Sequence, residues 1–198
     1  MDRQEKDDFD LASDVMPDIL SDTTDVMQGL TAGQNRARVR AIRILGSRQM
    51  SSQAMEKRLL EKGESDEEAR DTVRWLEDIG AVNDSDYARA IVSHYSTKGY
   101  GPARIRNELF RRGIPRELWE EAATGLDDAD NDEAVYRFLE KKLRGLGSGG
   151  DLSDTLTWKN ELRRATDALC RRGFSYEDAR CAINNYLESI GNTDEIEE

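Results

Sequence analysis

The sequence predicts an all-α protein in which tandem three-helix repeats stack into an elongated curved rod. Three observations carry that expectation. Apolar residues recur at intervals of three and four through most of the chain, the spacing of a single helix face. Glycines at 63, 113 and 173 close three of these periodic runs, and each is followed two residues later by a serine or proline suited to opening another helix. The stretches around the three glycines also superpose. Leu59, Leu109 and Leu169 stand four residues before them, and Lys62, Arg112 and Arg172 immediately before. Ser65, Pro115 and Ser175 follow, then Ala69, Trp119 and Ala179, then Val73, Ala123 and Ile183. The glycines are 50 and 60 residues apart, so the repeat is loose and its loops vary in length. A short helix draws its stability from packing an amphipathic face, and small units of this kind gain core by stacking on their neighbours, which leaves an extended concave surface.

The elements follow in order. Residues 1–35 hold nine acids against Arg3 and Lys6 and read as an acidic, disordered arm. Repeat 1 is expected over 36–82. Val39, Ile42, Ile44 and Leu45 give its first helix, and Ser51 or Ser52 caps a second that carries Met55, Leu59 and Leu60. Ser65 and Glu68 form a capping box before Ala69, Val73 and Leu76. Repeat 2 is expected over 83–126. Asn83 or Asp84 caps a helix bearing Tyr87, Ile91 and Tyr95, and Lys98–Pro102 is a turn with Pro102 at the first position of the next helix. Pro115 opens the third. Repeat 3 is expected over 127–190, beginning with an acidic linker at 127–132 and interrupted by a glycine-rich loop at 145–154. An acidic tail occupies 191–198.

Apolar residues make up 37% of the 198 and charged residues 35%, with a formal net charge of -12. The arm contributes -7 and residues 188–198 contribute -5, so the body between them is neutral. Within that body three basic clusters stand out. Arg36, Arg38, Arg40 and Arg43 form a run with no acid. Lys98, Arg104, Arg106, Arg111 and Arg112 face Glu108 alone, and Lys159, Arg163, Arg164, Arg171 and Arg172 face Glu161 and Asp167. Arginines at helix C-termini complement the helix dipole, so part of this pattern has a purely structural explanation. Its recurrence on equivalent helices suits phosphates or an acidic protein surface. Tyr95 and Tyr100 flank the Lys98 turn and are expected to cover it with their rings. Trp75, Trp119 and Trp158 are expected in packing roles.

Residues for catalysis are sparse. His94 is the only histidine, and Cys170 and Cys181 have neither a neighbouring histidine nor CxxC spacing, so both read as small core residues. No phosphate-binding loop of the GxxxxGK[ST] type is present. No enzyme activity, cofactor or metal site is expected. No stretch reaches the roughly 20 apolar residues of a membrane span, and no basic region followed by an apolar run marks a secretory leader. A reducing, cytoplasmic setting is expected, with the protein monomeric and away from membranes.

One segment is specific enough to carry a resemblance. Asn83-Asp84-x-Asp86-Tyr87-Ala88, Lys98-Gly99-Tyr100-Gly101-Pro102-x-Arg104-Ile105-x-x-Glu108-Leu109 and Arg112-Gly113-Ile114 together resemble the RecX family of recombination regulators. Arg171-Arg172-Gly173-Phe174-Ser175, with Ala179 and Ile183, is similar to that family's C-terminal signature. The resemblance runs from about residue 36 to residue 190 and leaves out the acidic arm. It implies tandem three-helix repeats, binding in the groove of the RecA filament on single-stranded DNA, inhibition of RecA, and direct single- or double-stranded DNA contact in some members. On this basis Lys98, Tyr100, Arg104, Arg111, Arg112, Arg171 and Arg172 are the candidate partner-binding residues, with Arg36, Arg38, Arg40 and Arg43 added on charge alone. An independent nucleic-acid-binding module is the alternative.

Overall fold

The computed structural model describes residues 29–123, 128–147 and 155–191. Among these the secondary structure is entirely helical: α1 Ala32–Leu45, α2 Ser52–Glu61, α3 Asp66–Asp78, α4 Asp84–Thr97, α5 Pro102–Arg111, α6 Glu117–Ala123, α7 Asp128–Gly147, α8 Thr155–Arg171 and α9 Tyr176–Gly191. They fall into three consecutive triplets, as the repeat predicts. Two compact units result. One holds the described residues up to Ala90 together with Leu109–Ala122, and the other holds Ile91–Glu108 with the described residues from Ala123 onward. Helices α4 and α5 contribute to both.

The first unit has its core among α1, α2 and α3, where Ala41, Leu45, Met55, Leu59, Val73 and Leu76 are buried together. The second is centred on α7, α8 and α9 through Leu139, Leu143, Ala165, Leu169, Ala179 and Ile183. Within each helix these positions lie three or four apart, which aligns them on one face.

Local capping sets where the helices start. Ser51 is the N-cap of α2, its hydroxyl accepting from Ala54 N–H at 3.2 Å. Asn83 Oδ1 accepts from Asp86 N–H at 3.2 Å at the head of α4. Such caps contribute about 1 kcal/mol each. Ser65 and Glu68 form the expected capping box. The Ser65 N–H, then its hydroxyl, hold the Glu68 carboxyl below its usual range.

The expected boundaries move at four places. Helix α1 begins inside the segment read as the arm, because Thr31 and Gln34 close a capping box at 3.2 and 3.0 Å. Residues 1–28 and 192–198 lie outside the described residues. Helix α7 takes in Asp128–Asp132 of the expected linker. It also runs to Gly147, through the expected start of the loop at 145; 148–154 are outside the described residues. Helix α6 begins at Glu117 after a turn in which Leu118 N–H donates to Pro115 O.

The three landmark glycines end α2, α5 and α8 in one geometry. Gly63, Gly113 and Gly173 have φ of 87°, 71° and 99°. Their N–H groups donate to Leu60, Phe110 and Cys170 carbonyls at 2.9, 3.0 and 3.0 Å. The N–H groups of Glu64, Ile114 and Phe174 reach back to Leu59, Leu109 and Leu169 carbonyls at 3.2, 3.1 and 3.2 Å. This is the Schellman arrangement, with the glycine supplying the left-handed residue. All three leucines are buried.

Gly113 and Gly173 also permit a close approach that Gly63 does not meet. Ser51 Oγ donates to Arg112 O at 2.6 Å, so the start of α2 abuts the end of α5. Gly101 N–H donates to Arg172 O at 2.9 Å and Ala103 N–H to Gly173 O at 3.0 Å, so the start of α5 abuts the end of α8. At the second junction unpaired N–H groups at the head of α5 thereby meet unpaired carbonyls at the end of α8, with the dipoles aligned favourably, whereas at the first the donor is the Ser51 hydroxyl. A Cβ on Gly173 would sit 2.4 Å from Arg104 N, and one on Gly101 2.5 Å from Gly173 C. Nothing lies within 4 Å of a Cβ on Gly63.

Gly63→Ala should therefore lose only the cost of the left-handed backbone, about 1–2 kcal/mol. Gly173→Ala should lose that and a further overpacking penalty of about 1–3 kcal/mol. Urea midpoints of the two variants should differ accordingly; equal midpoints would show that the close approach is not a constraint.

Candidate functional site

The arginine run on α1 proves to be surrounded by acids that come from later in the chain. Glu64 follows the Schellman glycine of α2, at the position occupied by Ile114 and Phe174 in the other repeats. Its side chain is fully buried. Arg36 and Arg40, four apart on α1, both reach it. Arg36 Nε and Nη2 donate to Glu64 Oε2 at 3.0 Å, and Nη2 is 3.6 Å from Glu68 Oε1. Arg40 Nη1 lies 3.0 Å from Glu64 Oε1 and donates to the Lys62 carbonyl. A buried carboxylate without a cation costs several kcal/mol, so Glu64 dictates arginines here. Arg38 lies over the Trp75 ring at 4.5 Å, and burial lowers its pKa. Only Arg43 of the four points to solvent without such an engagement.

A second group forms where the Lys98–Pro102 turn meets the end of α8. Arg172 Nη1 donates to the carbonyls of Lys98 and Gly99 at 2.8 and 3.2 Å. Its guanidinium stands 4.1 Å from the centre of the Phe138 ring and 5.2 Å from that of Tyr100. Arg104 approaches the Tyr100 ring at 5.8 Å, and buried Tyr95 packs on the same ring at 5.5 Å. The structure thus brings Lys98, Tyr100, Arg104 and Arg172 together. Lys98, Arg104 and Arg171 are exposed, whereas Tyr100 and Arg172 are half-buried.

Arg112 is the repeat counterpart of Arg172 and behaves alike. Its Nη1 donates to Tyr87 Oη at 2.7 Å, with the guanidinium 5.9 Å from the Tyr87 ring. In both repeats the arginine before the glycine is clasped by an aromatic residue from that repeat's first helix. Arg111 beside it is exposed. The sequence reading missed Glu64, Tyr87 and Phe138 as partners of these arginines. For Glu64 a signal existed: an acid where the repeat elsewhere has an apolar residue.

Other expectations resolve as follows. Trp75 is buried, while Trp119 and Trp158 are half-buried, with Trp119 Nε1 donating to Ile114 O at 3.0 Å. Half-buried Cys170 packs against the second core. Cys181 is exposed on α9 and is not a core residue, because its position falls two before the buried Ile183, off the apolar face. His94 packs edge-on to Tyr95. Among the described residues no three His, Cys, Asp or Glu side chains gather as metal ligands, and no helix is long and apolar enough to cross a membrane.

Comparison with known proteins follows the same segments. Residues 83–122 match the family described as RecX, second three-helix domain. A regulatory protein RecX from Xanthomonas axonopodis pv. citri (strain 306) is 31% identical over 149 residues, covering 75% of this chain and 86% of the relative. A regulatory protein RecX from Escherichia coli O1:K1 / APEC is 38% identical over 163 residues, covering 75% and 90%. The crystal structure of RecX from Lactobacillus salivarius superposes with a TM-score of 0.68 at 20% identity, over 79% of this chain and 98% of that one. A further crystal structure of regulatory protein RecX gives 0.62 at 19% identity, over 77% and 72%. These two structures support the fold.

Two contrasts test the division between structural and exposed arginines. Glu64→Ile, which restores the apolar residue of the other repeats, should cost within about 1 kcal/mol. The double variant Arg36→Ala/Arg40→Ala should unfold at clearly lower urea, since it strands the buried carboxylate. Arg172→Lys should lose about 1–2 kcal/mol, because lysine keeps the charge without the planar fork and stacking. Arg171→Lys should leave the midpoint unchanged.

Proposed function

The chain belongs to the RecX family of regulatory proteins, and from that membership we propose that it regulates the RecA recombinase, mainly by inhibition, by binding in the groove of the RecA filament on single-stranded DNA. The cluster of Lys98, Tyr100, Arg104 and Arg172, with exposed Arg171 beside Arg172 in sequence, is the observation that carries this reading. It falls on the segments matching the family's motifs, and it sets exposed cations on a turn held by internal hydrogen bonds. Arg172 clasps the Lys98–Gly99 backbone and Arg112 clasps the Tyr87 side chain. Lys98, Arg104, Arg111 and Arg171 then present charge to the partner, with Arg43 contributing from α1.

A binder of this kind needs no chemistry of its own. Its cations pair with acidic protein groups or phosphates along the filament and hold neighbouring RecA protomers in one geometry, which opposes extension and the cycle of ATP hydrolysis. Fixed spacing of the cations matters because each immobilised long side chain otherwise costs entropy on binding. The protein acts as a monomer in the cytoplasm, where the filament forms.

Titration against RecA alone, single-stranded DNA alone and the preformed filament tests this. Tightest binding to the filament and a fall in RecA ATPase are expected. Arg104→Glu/Arg171→Glu should weaken filament binding by about tenfold or more, as expected for reversed charges at an interface, with helicity unchanged. Unchanged ATPase at saturation would overturn the inhibitory reading. Equal, steeply salt-dependent affinity for bare DNA would favour an independent nucleic-acid-binding module.

A further inference from the structure

Helices α8 and α9 enclose a groove of about 270 Å³, smaller than most ligand sites and suited to a single anchoring side chain. Half-buried Leu162 and buried Ile183 form its floor. Lys159 and Arg163, one turn apart on α8, stand on one side, and Arg180 of α9 stands on the other. All three are exposed and have no ion-pair partner among the described residues. Neighbouring cations are already engaged: Arg164 pairs with Glu161, and Arg172 holds the Lys98 turn. An apolar floor beneath a rim of uncommitted cations suits an acidic peptide segment with one aliphatic residue among its acids.

The chain carries such a segment directly after α9. Residues 192–198 read Asn-Thr-Asp-Glu-Ile-Glu-Glu, with four acids, no base, and Ile196 as the one large apolar residue. In an extended chain Ile196 faces opposite to Glu195 and Glu197. With Ile196 on the floor, those glutamates stand at the rim, where the cation heads are. The length fits as well. Ile183 lies eight residues before Gly191, about 12 Å along a helix. Ile196 lies five residues after it, about 16 Å of extended chain. Glycine and asparagine, the residue types at 191 and 192, are those that reverse a chain. Asp167 on α8, and Glu188 one turn beyond Asn184 on α9, carry the opposite sign. They confine the acids of the segment to the stretch beside Lys159, Arg163 and Arg180.

We propose that residues 192–198 fold back onto the α8–α9 groove, with Ile196 on Leu162 and Ile183 and the flanking glutamates paired with Lys159, Arg163 and Arg180. The acidic tail is then a built-in occupant, and any other acidic chain must displace it. The contact lies within one repeat and needs no recombinase, so it stands apart from the reading of the Lys98 cluster.

The full chain is titrated into a fluorescein-labelled peptide of the sequence Asn-Thr-Asp-Glu-Ile-Glu-Glu, and anisotropy is followed. A tail tethered this closely has an effective concentration on the order of millimolar, about tenfold above a peptide dissociation constant on the order of 10⁻⁴ M. Glu195→Gln/Ile196→Ser/Glu197→Gln in the chain should therefore raise its affinity for the peptide about tenfold. Adding Arg163→Glu/Arg180→Glu should abolish the gain. That reversed groove should instead bind a peptide with lysine at the four acidic positions, which also shows that the variant is folded. A peptide with serine in place of its isoleucine should bind about tenfold more weakly, the loss of one buried aliphatic side chain. Equal peptide affinity of the unsubstituted and tail-substituted chains would overturn the proposal, as would a gain that survives reversal of Arg163 and Arg180. A gain of the same size from Asp10→Asn/Asp14→Asn/Asp18→Asn would make the N-terminal arm the occupant and overturn it too. Dimers of the unsubstituted chain that the tail variant lacks would place the tail on a second copy, with the same consequence.

Discussion

The meeting of a helix head with a helix end recurs twice and governs much else in the molecule. Ser51 at the head of α2 binds the Arg112 carbonyl, and Gly101 and Ala103 at the head of α5 bind the carbonyls of Arg172 and Gly173. A helix leaves four N–H groups unpaired at one end and four carbonyls at the other. At the head of α5 the junction pairs two such N–H groups with carbonyls at the end of α8, and at the head of α2 the Ser51 hydroxyl donates to the Arg112 carbonyl. Where α5 meets α8 the contact needs a residue with no side chain, because backbone approaches backbone there. It also needs a left-handed residue to end the helix. Glycine meets both needs at 173, and at 113 it supplies the left-handed residue beside the Ser51 and Gln53 side chains, which explains why the repeat is most visible around these positions.

That junction determines what the arginines can do. The residue before each glycine lies where the chain leaves the helix, beside the first helix of its own repeat. Arg112 meets Tyr87 there and Arg172 meets Phe138. Arg172 holds the Lys98 turn and Arg112 binds the Tyr87 hydroxyl, while Lys98, Arg104, Arg111 and Arg171 are exposed. Glu64 is the exception that supports the rule. In the first repeat a carboxylate replaces the apolar residue after the glycine, and Arg36 and Arg40 are drawn in to match it. Basic residues that form one category in a list of charges therefore divide into clasps, counter-ions and exposed contacts. The proposed regulatory surface around the Lys98 turn rests on this division.

The helical class, the three repeats and most helix starts were determined by the sequence alone. These depend on interactions spanning four or five residues: apolar periodicity, Ser65 with Glu68, Pro102 at a first position, glycine after a leucine. The T-x-x-Q cap at Thr31 belongs to the same kind and is legible in the sequence. The partners of the candidate residues were decided only by the tertiary structure. Arg36 and Glu64 are separated by 28 residues, Arg112 and Tyr87 by 25, and Arg172 and Lys98 by 74. Local spacing fixes which face of a helix a side chain occupies. It carries no information on which distant carboxylate, ring or carbonyl will stand opposite once the helices pack, and that choice separates a structural arginine from one left open to a partner.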